Sequence, residues 1–412
     1  MNILMAHATW YPTGGDWTYI ESVCNLYEAK GHCIIPFAMH HEKNLYTPYN
    51  KYFLSNIDYK SLNERKSISN MVKVLGRSIY SNEAVKNLQI LLSENKIDIA
   101  QLHNIHNIHT PSIIPVLKKN KIPVVWRVLD YKLICPNRTF LSNDQICEAC
   151  FKHKYYNCIT NKCKKNSYLA STVASVESYA YYLLKYYNQV DSFLFQSEST
   201  RNMFLKYGFD PGKCEIIENP YDSQLASPNF EGKNYILYFG RVSSEKGIFT
   251  LLDAMNLIPN IELKVIGDGP ELEGSKQYAL DNKISNVSFL GSCWGKELEL
   301  VLKDCDFVVL PSEWYEPNPY VILQSFSFGK PVVASNIGGL PDMITDGVNG
   351  LLVEIKNAIE LSNKISGLFK NKLQIFEMGT NARNILERKY NPEIYYDKTL
   401  TLFNKLLIQY HI

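Results

Sequence analysis

Two cations suited to binding a phosphate lie in one short segment, GRVSSEKG, which runs from Gly240 to Gly247. They are Arg241 and Lys246, and an apolar run ending at Phe239 immediately precedes the segment. A guanidinium offers a planar pair of donors, an ammonium offers a point charge, and the first turn of a helix has N–H groups without partners. We therefore interpret the segment as a loop that binds a diphosphate. The alternative is an ordinary surface loop with two cations.

A second stretch, PSEWYEPNPYVILQS, places a carboxylate and an amide eight positions apart. Glu316 lies in the loop after an apolar run, and Gln324 lies two turns along the helix that is predicted to follow. At that spacing both polar groups can reach one ligand from the same side. Pro319 and Tyr320, which lie between them, are further candidate ligand contacts. The alternative for Glu316 is a helix cap or a surface charge.

Glycine loops follow three other apolar runs. A glycine loop that leads into a helix can present backbone N–H groups to a phosphate, although a tight turn explains an isolated glycine pair equally well. The candidate pairs are Gly14 and Gly15, Gly267 and Gly269, and Gly338 and Gly339.

The elements that must position these residues alternate regularly between strand and helix. A strand, a glycine loop, a helix and a second strand fill the first 40 residues or so, and this pattern is typical of a βαβ unit with a parallel sheet. The alternation restarts at Tyr235, after a polar segment over residues 222–233. We predict an α/β fold with two Rossmann-like, doubly wound domains, over residues 1–221 and 234–390, joined by a linker at 222–233. The ligand is expected in a cleft that faces the carboxyl ends of both sheets.

Composition excludes several classes of protein. The chain has 412 residues, 46% of them apolar, and a net charge of +2, so no sequence-wide field attracts nucleic acid or an anionic membrane. No run approaches the roughly 20 apolar residues that span a bilayer, and the first residues lack the basic region of a signal peptide. We expect a cytoplasmic protein whose cysteines are thiols or metal ligands.

Five of the ten cysteines fall within one insertion in the first domain, residues 135–163. One pair has the C-x2-C spacing of a zinc knuckle, but five thiols exceed the four positions of a tetrahedral site. A structural zinc and a cluster of reduced thiols both remain open, whereas a nucleic-acid-binding finger is disfavoured because no basic recognition helix accompanies the cysteines. The cysteines are Cys135, Cys147, Cys150, Cys158 and Cys163.

Taken in order, the motifs GRVSSEKG, VIGDGP, EPNPYVILQS, GKPVVAS and GGLPDMITDGVNGLL resemble those of the retaining glycosyltransferases of family 4, which have the GT-B architecture. The resemblance implies transfer of a sugar from a nucleotide-diphosphate sugar with retention of configuration and without a bound metal ion. It also implies that Arg241 and Lys246 hold the diphosphate, that Glu316 contacts sugar hydroxyls, and that residue 324 contacts the ribose. The glycine pairs, with Gly240, would let loops approach the donor. A helix over residues 391–412 would return to the first domain.

Two positions depart from the family pattern. Gln324 stands where the family usually has Glu, and Leu129 stands where many relatives have a His that precedes Asp130. An amide oxygen still accepts a hydroxyl hydrogen bond, so donor binding should weaken rather than vanish. His103 and His106, ranked above His109, are candidates to supply the missing imidazole on the acceptor side, with Asp130.

The resemblance favours an enzyme that extends a lipid-linked surface polysaccharide, such as an O-antigen or capsule intermediate, at the cytoplasmic face of a membrane that it contacts peripherally. No catalytic cofactor is implied beyond the sugar donor itself. Two alternatives stay open: a different GT-B enzyme, such as a nucleotide-sugar epimerase or a phosphorylase, and a non-catalytic protein that binds sugar nucleotides.

Overall fold

The computed structural model describes residues 1–56, 76–106 and 108–411. The chain forms two compact units that interleave in sequence. The first unit comprises Met1–Gln196, Arg201–Pro220 and the C-terminal segment from Glu393. The second comprises Ser197–Thr200 and Tyr221–Pro392. Within the described residues no helix is both long and apolar enough to cross a bilayer.

The first unit is built on a six-stranded sheet in the order β2-β1-β3-β4-β7-β8, with every neighbouring pair parallel. The short apolar runs of the sequence form central strands that are buried throughout, as parallel strands covered on both faces require. The strands are β1 Asn2–Ala6, β2 Cys33–Phe37, β3 Ile99–Leu102, β4 Val124–Arg127, β7 Ser192–Phe195 and β8 Cys214–Ile216, and a hairpin of β5 Leu141–Ser142 and β6 Gln145–Ile146 lies in the insertion.

The helices of this unit include one that comes from the far end of the chain. They are α1 Gly15–Ala29, α2 Asn82–Glu94, α3 Ile113–Lys119, α4 Tyr156–Thr160, α5 Tyr168–Leu183, α6 Glu198–Lys206 and α14 Pro392–His411. α14 packs on α1, where the hydroxyls of Tyr395 and Tyr19 are 2.7 Å apart. The Tyr396 hydroxyl lies 2.9 Å from Nε2 of His32, just after α1.

The second unit carries a second six-stranded parallel sheet, in the order β11-β10-β9-β12-β13-β14. Its strands are β9 Tyr235–Phe239, β10 Glu262–Ile266, β11 Val287–Gly291, β12 Val308–Leu310, β13 Val332–Ser335 and β14 Gly350–Val353. Its helices are α7 Ile248–Asn256, α8 Leu272–Asp281, α9 Lys296–Asp304, α10 Tyr320–Ser327, α11 Leu340–Met343, α12 Ala358–Lys370 and α13 Lys372–Lys389. Leu251, Leu263 and Val309 lie in its fully buried core.

The predicted fold class, two Rossmann-like parallel sheets, is confirmed. The linker segment predicted at residues 222–233 lies in the second unit, whose longer segment begins at Tyr221. In both sheets the strand order reverses direction once, between β1 and β3 in the first and between β9 and β12 in the second. The loops that follow the two strands at such a point run to opposite sides and leave a crevice at the carboxyl edge of the sheet, where ligands of open α/β sheets bind.

Candidate functional site

The crevice of the second unit lies between the loops after β9 and β12, and one ion pair joins these two loops. Nζ of Lys246, in the first loop, pairs with Oε1 of Glu316, in the second. Ser312 Oγ donates to the same carboxylate oxygen at 2.8 Å. The Glu316 side chain is 4% exposed, whereas that of Lys246 is 20% exposed. A buried carboxylate of this kind needs a cation and hydrogen-bond donors, and this site supplies both.

Glycines in this region allow three loops to pack backbone against backbone. Gly247 has φ +71°, and a Cβ there would lie 1.9 Å from the Pro311 carbonyl oxygen. A Cβ on Gly269 would lie 2.1 Å from the Val242 carbonyl oxygen, and one on Gly267 would lie 1.8 Å from the Gly240 carbonyl oxygen. The VIGDGP glycines therefore shape the site by holding the loop after β9 in place.

Gly338 and Gly339 pack directly against the backbone of the Glu316 loop. A Cβ on Gly339 would lie 2.0 Å from the Pro317 carbonyl oxygen, and one on Gly338 would lie 2.6 Å from the Glu316 carbonyl oxygen. The Gly339 N–H donates to that Glu316 carbonyl at 2.6 Å. The sequence predicts that backbone N–H groups at this glycine loop bind a phosphate, but the Gly339 N–H is already bonded to the Glu316 carbonyl, so here the glycine pair positions the carboxylate loop.

Arg241 differs from Lys246 in being exposed. The Tyr238 hydroxyl donates to the Arg241 carbonyl oxygen at 2.7 Å, which fixes the backbone at that point. The guanidinium itself lies at the surface. The two residues predicted to bind a diphosphate thus lie in one loop. Arg241 is exposed to solvent, and Lys246 pairs with Glu316.

Gln324 lies on the half-buried face of α10, together with Tyr320 and Val321. Pro319 is the residue immediately before the helix, and its extended backbone lets α10 begin at Tyr320. Val321 is the neighbour of Gly240, since a Cβ on that glycine would lie 3.8 Å from its methyl group. Gln324, the predicted ribose contact, therefore lies on the helix that begins at the crevice. That helix lies next to the loop after β9.

Sequence reasoning missed two residues of this site, Ser312 and Trp314. The Trp314 ring lies under Lys246, with Nζ 5.2 Å from the ring centroid. Its indole N–H is buried without a hydrogen-bond partner. Both residues stand in the quoted PSEWYEP motif, but a serine and a tryptophan carry no charge that would have singled them out.

At the crevice of the first unit the Gly14–Gly15 loop leads into α1, and Gly14 has φ +129° with open space where a Cβ would be. The Asn104 side-chain amide, after β3, donates to the Asp16 carboxylate. Asp130, after β4, lies 3.5 Å from Nε of Arg138. Desolvation and the nearby Asp130 carboxylate raise the pKa of Asp16 to about 6. Asp16 and Asn104 are polar groups at this edge that the sequence analysis did not select.

The structure buries the histidines that were candidates for the acceptor side. His103 is 0% and His106 is 2% exposed, and burial lowers both pKa values well below the usual range. Neither ring nitrogen of His103 has a hydrogen-bond partner, whereas Nε2 of His106 lies 3.1 Å from the Tyr187 hydroxyl. The prediction of an accessible imidazole is therefore corrected: both rings are neutral core groups. His109 is also fully buried, against Phe37.

The cysteines of the insertion do not form a metal site in the described part of the chain, where no three His, Cys, Asp or Glu side chains are placed to hold an ion. Cys150 and Cys158 instead belong to a small apolar cluster with Tyr155, and Cys163 packs against it. Hydrogen bonding from Cys158 lowers the pKa of Cys163 to about 6, and desolvation raises that of Cys150 to about 12. Of the two alternatives, the cluster of reduced thiols fits this arrangement.

Residues 222–385 match the family described as glycosyl transferases group 1. A Klebsiella pneumoniae protein, described as an uncharacterized 42.6 kDa protein in the cps region, is 24% identical over 83% of this chain and 87% of its own length. A lipopolysaccharide core biosynthesis glycosyltransferase of Rhizobium meliloti is 29% identical over 40% of this chain and 48% of its own length. The chain thus spans only about half of that relative.

The fold comparison covers nearly the whole chain. The crystal structure of HepE from Anabaena in complex with UDP superposes with a TM-score of 0.66 at 18% identity, over 98% of this chain and 99% of that one. At this identity the likeness establishes the fold alone. Together with the two parallel sheets, it identifies the architecture as GT-B, and the match to the glycosyl transferases group 1 family falls on residues 222–385 of this chain.

Proposed function

We propose that this protein transfers a sugar from a nucleotide-diphosphate sugar to a glycan acceptor, with retention of the anomeric configuration and without a catalytic metal ion. The observation that carries the proposal is the Lys246–Glu316 pair, which lies at the reversal point of the sheet inside the group 1 domain. A cation and a carboxylate in contact at this place suit a donor that presents a diphosphate next to a sugar.

When the donor binds, both members of this ion pair change partners. The diphosphate takes Lys246 away from Glu316, and the sugar hydroxyls offer the carboxylate new donors. Ser312 keeps one hydrogen bond to Glu316 throughout, so the carboxylate does not lose all of its partners at any stage. Arg241 is exposed beside the same loop and adds a second cation to the phosphate side.

The chemistry then follows from where charge develops. The bond between the anomeric carbon and the phosphate oxygen breaks, and the acceptor oxygen bonds to the same face of that carbon. The acceptor proton passes to the departing phosphate oxygen. The sugar ring becomes oxocarbenium-like in the transition state, and the diphosphate gains negative charge. Arg241 and Lys246 stabilise that negative charge, and the Glu316 carboxylate stabilises the ring.

The acceptor is proposed to be a lipid-linked intermediate of a surface polysaccharide. Two relatives support this class by their descriptions, one from a cps region and one from lipopolysaccharide core biosynthesis. Asp16, Asn104 and Asp130, at the crevice of the first unit, are the groups proposed to meet acceptor hydroxyls, since His103 and His106 are buried.

A thermal-shift screen with UDP-, GDP-, dTDP- and ADP-sugars tests donor binding first. A ligand that binds only the folded state adds about 2.7 kcal/mol of stability at 100 times its dissociation constant. Transfer with the best donor is then followed by release of the nucleoside diphosphate, with and without a chelator, and the product anomer is read by NMR. If no sugar nucleotide shifts the melting temperature, the proposal is wrong. A product of inverted configuration would refute retention.

A non-catalytic sugar-nucleotide-binding protein is the second candidate, and one observation favours it. With Leu129 in place of the usual histidine, both imidazoles that could have replaced that group lie in the core. Donor binding without turnover, for any lipid-linked acceptor tested, would select this alternative.

A further inference from the structure

Helix α5 of the first unit, Tyr168–Leu183, carries apolar side chains on the face that points to solvent. Its inner face is buried and consists largely of small and polar residues, with three serines beside Ala174 and Tyr181. Its outer face carries Leu169, Val176 and Leu183, which are seven residues apart and therefore lie on one side of the helix, and the two leucines are 45% and 72% exposed. A surface helix normally places charged residues on the side that faces water. This outer face has none.

The one charged residue of α5 is turned inward. Glu177 is buried, and its carboxylate lies 3.1 Å from Nζ of Lys132, which is buried as well. The charge of the helix is therefore neutralised inside the unit and does nothing for the solubility of the outer face. Lipid or another apolar surface is a better environment for that face than water is.

The segment around α5 is strongly basic at its surface. From residue 149 to residue 190 the sequence has six lysines and one carboxylate, the buried Glu177. Four of these lysines are exposed, and they are Lys152, Lys154, Lys165 and Lys185. Three exposed tyrosines accompany them: Tyr156, Tyr168 and Tyr182, each about half exposed.

We propose that the outer face of α5, with these lysines and tyrosines, docks onto the surface of an anionic lipid bilayer. Apolar side chains would enter the boundary between headgroups and acyl chains, tyrosines prefer that interfacial depth, and lysines attract anionic headgroups. A second copy of this chain is a poorer occupant, because two such faces would bring like charges together. The inference assigns a surface to the peripheral membrane contact that the family resemblance implies, and it does not depend on the proposed transfer reaction, since it needs no donor and no acceptor.

Co-sedimentation with vesicles tests the inference on the full chain. Vesicles of pure phosphatidylcholine are compared with vesicles that contain an equal share of phosphatidylglycerol, at low and high salt and without sugar nucleotide or acceptor. We expect binding to the anionic vesicles that falls steeply with salt, and little binding to the neutral ones.

Matched variants separate the apolar and the charged contributions. Leu183→Glu is compared with Leu280→Glu, because Leu280, in the second unit, is also 72% exposed. Only Leu183→Glu should weaken vesicle binding, by tenfold or more. The double variant Lys154→Gln and Lys165→Gln should weaken it roughly 25-fold, since each surface lysine near an anionic membrane contributes about fivefold. The same double change at the exposed Lys296 and Lys303 is its control.

Three results would overturn the inference. The first is the absence of binding to anionic vesicles at low salt. The second is equal binding by Leu183→Glu and the wild type. The third is self-association in solution that Leu183→Glu abolishes, which would assign the face to a second copy. Donor binding, measured by thermal shift on the same variants, should be unchanged, so failure here and failure of the proposed transfer reaction are distinguishable.

Discussion

At the scale of single residues, the two polar groups eight positions apart should respond differently to substitution. Glu316→Gln removes a charge that stabilises the ring only in the transition state, so turnover should fall by about 100-fold while donor affinity changes little. Gln324→Glu strengthens a hydrogen bond to the ribose and should tighten donor binding several-fold. Calorimetry of donor binding and initial rates, measured side by side, check both.

Glu313→Gln is the control for Glu316→Gln. Glu313 lies three residues earlier in the same loop, accepts from Thr250 at 2.5 Å and lies 3.7 Å from Nζ of Lys356. Its loss should leave turnover within a few-fold of the wild type. If Glu316→Gln keeps the full rate while Gln324→Glu destroys it, the two positions have been assigned to the wrong parts of the donor.

A thiol in the insertion should be unusually reactive. Cys163 accepts a hydrogen bond from Cys158, which lowers the Cys163 pKa to about 6, and it is less buried than its partner. We expect iodoacetamide to label Cys163 first and at a rate that is still appreciable at pH 6.5, because the thiolate is the reactive form. Mass spectrometry of briefly labelled protein locates the adduct. Cys158→Ala should slow the reaction at pH 6.5, and preferential labelling of Cys147 would contradict the assignment.

The charged residues of the donor-side site could be predicted from the sequence, but its uncharged residues could not. Lys246 and Glu316 are chemically distinctive, and both follow strands whose carboxyl ends share one edge of the sheet. Ser312 and Trp314 are residue types that occur in any loop. Their approach to the ion pair depends on loop backbone angles that no periodic pattern encodes.

At the scale of elements, loop packing makes a prediction about two glycines. Neither Gly339 nor Gly367 has a positive φ, so only the surrounding space distinguishes them. Gly339→Ala would drive a methyl group to 2.0 Å from the Pro317 carbonyl oxygen, which should displace the Glu316 loop and weaken donor binding at least tenfold. Gly367→Ala, in the open face of α12, should leave binding unchanged and stabilise that helix by about 0.5–1 kcal/mol. Melting temperatures and donor titrations of both variants test this, and equal behaviour would contradict it.

Strands were predictable where a buried apolar run is flanked by turn residues, as at Tyr235–Phe239, whose predicted bounds agree with the structure. Two strands were not predicted: β8 has three residues and only one buried position, and β14 begins with a glycine. Helix α5 was not predicted either, because its buried face consists largely of serines while leucines lie on its exposed face. Hydrophobic periodicity therefore does not mark the side of this helix that faces the core. On α14, Phe403, Leu406 and Tyr395 are buried.

At the scale of the whole molecule, buried neutral histidines should make the first unit sensitive to acid. Burial lowers the His109 pKa to about 3, whereas the unfolded chain titrates near 6.5. Between these values the unfolded state binds the extra proton. His109 therefore contributes stability that is fully present above pH 6.5 and is lost as the pH falls, by about 1.4 kcal/mol per pH unit.

His109→Phe keeps an aromatic ring against Phe37 and removes the titration. The unfolding free energy of the wild type should decline more steeply than that of the variant from pH 6 to pH 4, as followed by denaturant titration at each pH. His40→Phe, at an exposed position, controls for the replacement itself. Parallel pH profiles for His109→Phe and the wild type would show that another group controls the acid sensitivity.

The interleaving of the two units also constrains the order in which the protein can be completed during synthesis. The chain leaves the first unit at Gln196 and again at Pro220, and it supplies that unit's last helix only after all of the second unit has been made. During synthesis Tyr395 therefore emerges from the ribosome long after Tyr19, its partner on α1. While the second unit is translated, the part of the first unit that α14 will cover stays exposed. A premature stop codon after Tyr390 would spare every strand of both sheets and still leave the first unit unfinished.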